Sequence, residues 1–165
     1  KHMIKDVKEK VKSISLNNNK KLYLLDKISL INEILPEMPN VIKPKFRSNQ
    51  FDLLITSCSK SKKQNVSEEL KLYTQKLSNI LNIKKNIFYS SGNEKDVLRE
   101  IHKLKITFNK VLLHPIFLFN GFLYMKSINN ISKNNKIKNL KPLTHYDAIV
   151  DILTKKLIRS FQTFN

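Results

Sequence analysis

The chain is poor in cysteine, glycine, arginine and acid, and each shortage excludes something. A single thiol, Cys58, rules out an internal disulfide and fits a reducing compartment, so a cytoplasmic or stromal setting is expected. No hydrophobic run reaches the ~20 residues that a membrane-crossing helix needs, and no membrane partner is expected. No secretory leader opens the sequence. It starts on Lys1, not Met, so the chain is expected to begin inside a longer protein. Glycine occurs twice, and the polar run Ser57–Lys63 has none. Without glycines, or a Gly-Lys-Ser/Thr ending, that run does not read as a phosphate-cradling loop.

Only three of the 31 basic residues are arginine, at positions 47, 99 and 159. Base-edge readers rely on the forked guanidinium, and no helix here gathers lysines on one face beside aromatics. The abundance of Lys, Asn, Ile and Phe is what AT-rich coding produces whatever the partner. A nucleic-acid partner is therefore not expected, even at a net charge of +18. The excess charge still favours anionic ligands, polycarboxylates among them.

What remains is enough for a folded core: 165 residues, 41% hydrophobic and 27% charged, as in ordinary globular domains. Its organising stretch is Val111–Ile128, VLLHPIFLFNGFLYMKSI. The apolar opening reads as a strand buried on both faces. Pro115 cannot donate to a ladder, so regular pairing should end there. Asn120-Gly121 then turns the chain into an amphipathic segment.

Before it, Met3–Leu16 has helical spacing at Ile4, Val7, Val11 and Ile14, and Leu22–Leu25 suggests a short strand. Ser29 is placed to cap a helix holding Leu30, Ile31, Ile34 and Leu35 inward, cut short by Pro36. Pro39, Pro44 and the polar run Arg47–Gln50 suggest a linker over 41–50. Asp52–Thr56 reads as a strand, Val66–Leu81 as a helix and Asn86–Tyr89 as a strand. Asn93 can cap a helix through Leu104. Ile137–Leu140 is a further strand, and Thr144 is expected to cap a last helix with Ile149, Val150, Leu153, Leu157 and Phe161 inward. Strands alternating with helices predict an α/β fold with a mostly parallel sheet flanked by helices.

An internal repeat runs through this order. Lys1–Val7 lies over Phe122–Ile128, and Ile28-Ser29 with Ile34-Leu35 lies over Leu143-Thr144 with Ile149-Val150. The expected organisation is the tail of one unit over 1–40, a linker over 41–50, and a complete second unit over 51–165.

These motifs resemble the class II sirohydrochlorin chelatases of the CbiX type. That family's unit runs a strand into Pro-Leu-Phe-Leu-Phe-x-Gly-x-His-Val-x-x-Asp-Ile and has a Pro-Leu-Gly before its last helix. Pro115-Ile116-Phe117-Leu118-Phe119-Asn120-Gly121 matches the first, and Pro142-Leu143-Thr144 with Ala148–Leu153 matches the second. The resemblance implies insertion of Co²⁺ or Fe²⁺, as substrate metal and without an organic cofactor, into the tetrapyrrole polycarboxylate sirohydrochlorin, for cobalamin or siroheme. The complete unit departs from the pattern where the metal would be handled. The family's first metal-binding His falls on Cys58, its second on Leu123, and a frequent acidic residue on Ser90. In the partial first unit, His2-Met3-x-x-Asp6-Val7 keeps the His. The resemblance therefore implies that the chain is the back portion of a long, two-unit form, with His2 as metal ligand and proton acceptor. The second half would be mainly structural and inactive alone. Neutral imidazole suits both duties of His2, binding a borderline ion and accepting a pyrrole proton near neutral pH.

Two other readings stand beside it. One is a non-catalytic α/β module for an anionic ligand. The other is a metal or nucleophile–base site at Cys58 and His114, each at the carboxyl end of an expected strand. His114, inside an apolar strand, reads more simply as a hydrogen-bonded core residue. Tyr73, Phe88 and Tyr89 read as core. His102 reads as surface, and His145 as bordering the cleft.

Overall fold

The computed structural model describes residues 28–46, 50–59, 64–90, 110–129, 131 and 137–162. The expected helix over 3–16, the strand over 22–25, the helix capped by Asn93, His2 and His102 lie outside them.

Four strands form one parallel sheet in the order β2-β1-β3-β4: β1 (Leu53–Cys58), β2 (Lys85–Ser90), β3 (Val111–Pro115) and β4 (Ile137–Asn139). The α/β architecture expected from the alternation is present. β1 and β3 lie side by side at the centre, Leu53 against Val111 and Thr56 against His114, and both are buried along their whole length. β1 runs two residues past the expected Thr56. Ser57 and Cys58 are polar or small, but Tyr89 and Ser90 of β2 pair with them and hold them in the sheet.

Strand alternation divides the side chains between two faces. Leu54, Leu112 and His114 share one face, with Thr56 and Cys58 in the same alternation. Leu53, Ile55, Ile87, Tyr89, Val111 and Leu113 share the other. Helix α2 (Gln64–Ile80) covers the first face with Tyr73 and Leu77, continued by Leu81. Leu70, Tyr73, Leu77 and Leu81 recur at helical spacing and are all buried, as expected. Asn82, in the left-handed conformation at φ 56°, ends the helix by letting Ile83 N–H reach back to the Ser78 carbonyl at 2.9 Å.

The same face is packed by a segment N-terminal to the sheet. Ser29 Oγ accepts from Asn32 N–H at 3.1 Å, and Glu33 accepts from Ser29 N–H at 2.6 Å, so cap and first turn secure each other. The turn Leu30–Ile34 is a π-helical one. Pro36 does not end helical structure for long. A second short helix, α1 (Met38–Ile42), starts with Pro39 in its first turn, where a missing N–H loses nothing. Ile34, Leu35, Met38 and Ile42 are buried in one cluster with Leu54, Tyr73 and Leu112. The compact unit is Ile28–Ile152 and runs straight through 41–50.

On the opposite face lies α3 (Phe122–Asn129), tied to the sheet where Tyr89 Oη donates to the Ser127 carbonyl at 3.1 Å. The last helix, α4 (Asp147–Gln162), starts two residues later than a Thr144 cap predicts. Leu143–His145 forms a separate 3₁₀ turn. The buried residues here are Tyr146 and Ile149, with Ile152 packed alongside, while Val150 is exposed, contrary to the expected inward face. Residues 153–162 of α4 belong to a second unit, in which Leu157, expected inward, is about half exposed. Among the described residues, no helix is long and apolar enough to cross a membrane.

Candidate functional site at the carboxyl edge of the sheet

In an open parallel sheet, the crevice lies outside the strand carboxyl ends where the crossovers diverge to opposite faces. Here that point falls between β1 and β3, because α2 follows β1 onto one face and α3 follows β3 onto the other. The edge is formed by Ser57-Cys58-Ser59 from β1 and by His114-Pro115 running into Ile116–Gly121 from β3.

Pro115 ends β3, as expected, because it has no N–H to give. Ile116 N–H then donates to the Ser57 carbonyl at 2.7 Å, which keeps the following loop against β1. Its far side is held by the 3₁₀ turn. Leu143 N–H donates to the Phe117 carbonyl at 2.9 Å, and both Thr144 N–H (3.1 Å) and Thr144 Oγ1 (2.6 Å) donate to the Leu118 carbonyl. This replaces the expected helix cap: Thr144 uses its hydroxyl on a neighbouring loop. Phe117 meets Tyr124 edge to face at 6.4 Å, and Tyr124 Oη donates to the Leu140 carbonyl at 3.0 Å. The rim beyond is apolar, with Leu118, Phe119, Phe122, Leu123 and Met125 all exposed.

His114 is fully buried beneath this edge, and its Nε2 lies 2.9 Å from Tyr73 Oη. Nδ1 has no partner. Burial pulls the imidazole down to about 3, so it is neutral at physiological pH. Cys58, on the same face and one side-chain position further along β1, is buried with its Sγ donating to the Ser59 carbonyl at 3.1 Å. Burial pushes its thiol up to about 11. A protonated thiol is a poor nucleophile, and the Nε2 of His114 is engaged by Tyr73, so the two do not form a nucleophile–base pair. Among the described residues, no three His, Cys, Asp or Glu side chains are grouped to hold a metal ion.

Of the other residues singled out in the sequence, Ser90 ends β2 at this edge, Leu123 is exposed in the first turn of α3, and His145 is exposed in the 3₁₀ turn. Tyr73 and Tyr89 are buried and Phe88 is half-buried, so none of the three forms an open stacking platform. Sequence reasoning missed the pairing of Tyr73 with His114 and the clasp from Thr144 to Leu118. Neither leaves a local signature, because each joins elements far apart in the chain. A small cavity of about 80 Å³, lined by Phe46, Phe51, Ile80 and Leu112 among others, lies towards the amino ends of the strands and has room for only a few waters.

The chain matches no protein-family model, no curated protein and no solved structure.

Proposed function

We propose that this chain is the back portion of a two-unit sirohydrochlorin chelatase and that its sheet module is a scaffold without metal chemistry of its own. One observation carries the reading. The Pro115–Gly121 run, the most specific part of the resemblance, leaves the central strand at the edge where α/β sheets take ligands. The chemistry around it is consistent with a scaffold. The positions that would carry the family's histidines hold a buried, protonated Cys58 and an exposed Leu123. In this reading Co²⁺ or Fe²⁺ is substrate. His2 supplies one imidazole that holds the ion and takes a pyrrole proton, and its partner imidazole comes from an upstream unit.

The reading frame tests this directly. It should encode the family's first motif, a strand ending in Gly-His-Gly-Ser, roughly 60 to 80 residues before His2, much as Cys58 precedes Leu123 here. The protein translated from that frame should metallate sirohydrochlorin, and His2→Ala should lower the rate at least about tenfold. A frame without that motif contradicts the proposal and leaves a non-catalytic module for an anionic ligand as the better account.

A further inference from the structure

A soluble helix normally keeps one face polar, and one that is apolar on every side is normally covered. Helix α3 faces the protein with Tyr124 and Ser127, both buried, yet its outward positions carry Phe122, Leu123 and Met125. Phe122 is 80% exposed and Phe119, just before it, 68%. Between them, a methyl group added at Gly121 would meet nothing within 4 Å, so the turn joining the two rings projects into open space. The loop is held rigidly from behind by the bonds from Leu143 and Thr144 to Phe117 and Leu118.

The chain carries a net charge of +18, and two of its lysines border this tip. Lys126 lies on α3, and Lys141 lies just before the 3₁₀ turn that clasps the loop; both are exposed. A second copy would bring like charge against like charge, which disfavours self-association through this face. Exposed aromatic side chains bordered by lysines, on a strongly cationic chain, match a bilayer carrying anionic headgroups. The rings enter the boundary region while the ammonium groups stay with the phosphates.

We propose that the Phe119–Met125 tip is a peripheral docking site for an anionic membrane surface, with Phe119 and Phe122 inserting and Lys126 and Lys141 meeting lipid phosphates. Such attachment needs no spanning helix and is reversible. It does not depend on the chelatase reading.

Flotation of the whole chain tests it, using vesicles of phosphatidylcholine alone and of phosphatidylcholine mixed equally with phosphatidylglycerol. The chain should float with the anionic vesicles and not with the neutral ones, and molar salt should release it. Phe119→Ser with Phe122→Ser should weaken binding at least about tenfold. Both side chains are exposed, so thermal unfolding should be unchanged, and Lys126→Glu with Lys141→Glu should weaken binding independently. Binding indifferent to the phenylalanines would reduce the effect to non-specific attraction of a +18 chain and overturn the proposal. No binding to either vesicle would also overturn it and leave the tip to face another protein module. Tighter, phenylalanine-dependent binding to single-stranded DNA than to vesicles would overturn it in favour of nucleic acid.

Discussion

Tyr73 and His114 form a buried hydrogen-bonded pair in which the histidine is the titratable partner, and the pair makes the fold sensitive to acid. In the unfolded chain the imidazole takes up its proton near its ordinary value of 6.5; in the fold it does not until about 3. Between those values the unfolded state binds the extra proton. Stability is therefore fully present above about pH 6.5 and falls as pH drops, by up to about 1.4 kcal/mol per unit. Urea unfolding across this range should show that slope. Tyr73→Phe with His114→Leu should remove most of it, because replacing both partners leaves neither polar atom stranded. An identical slope in the double variant would place the proton elsewhere. The sequence made His114 legible as a core histidine, since it stands inside VLLHP. Its partner 41 residues away was not legible, because hydrogen-bond partners across elements are fixed by packing and leave no local signature.

The sheet strands and α2 could be read from periodicity because each buries a simple pattern: whole strands for β1 and β3, a single stripe for α2. Proline is an ambiguous sign over 36–44. Pro36, Pro39 and Pro44 look like breakers, yet the first turn of a helix tolerates proline, and Met38 and Ile42 use α1 to reach the core. The phase of α4 was ambiguous because apolar residues lie on more than one of its sides. Tyr146 and Ile149 settle it by packing into the core cluster. A hydroxyl can serve a helix cap or a distant carbonyl, and the sequence does not distinguish them. In the structure Thr144 serves Leu118, which makes a specific expectation. Thr144→Val should destabilise the fold by about 1 kcal/mol while leaving far-ultraviolet helical signal unchanged. A loss of helical signal would restore the capping role.

For the molecule as a whole, crossover topology counts for more than any side chain. The order 2-1-3-4 sets the switch point between β1 and β3 and brings the Pro115–Gly121 loop, the end of β1 at Cys58 and the Thr144 clasp to one edge. That edge was legible in the sequence as the end of the organising strand. The packing of residues 28–46 against the sheet was not, because a chain segment shows its own amphipathicity but not which surface it will cover. The central claim is that this module supplies structure around a metal-handling centre that lies elsewhere. The most direct test is absorbance-monitored metallation of sirohydrochlorin by Co²⁺ with this 165-residue chain. The account predicts a rate no higher than in protein-free solution. Turnover that Cys58→Ser or His114→Leu abolishes would contradict it.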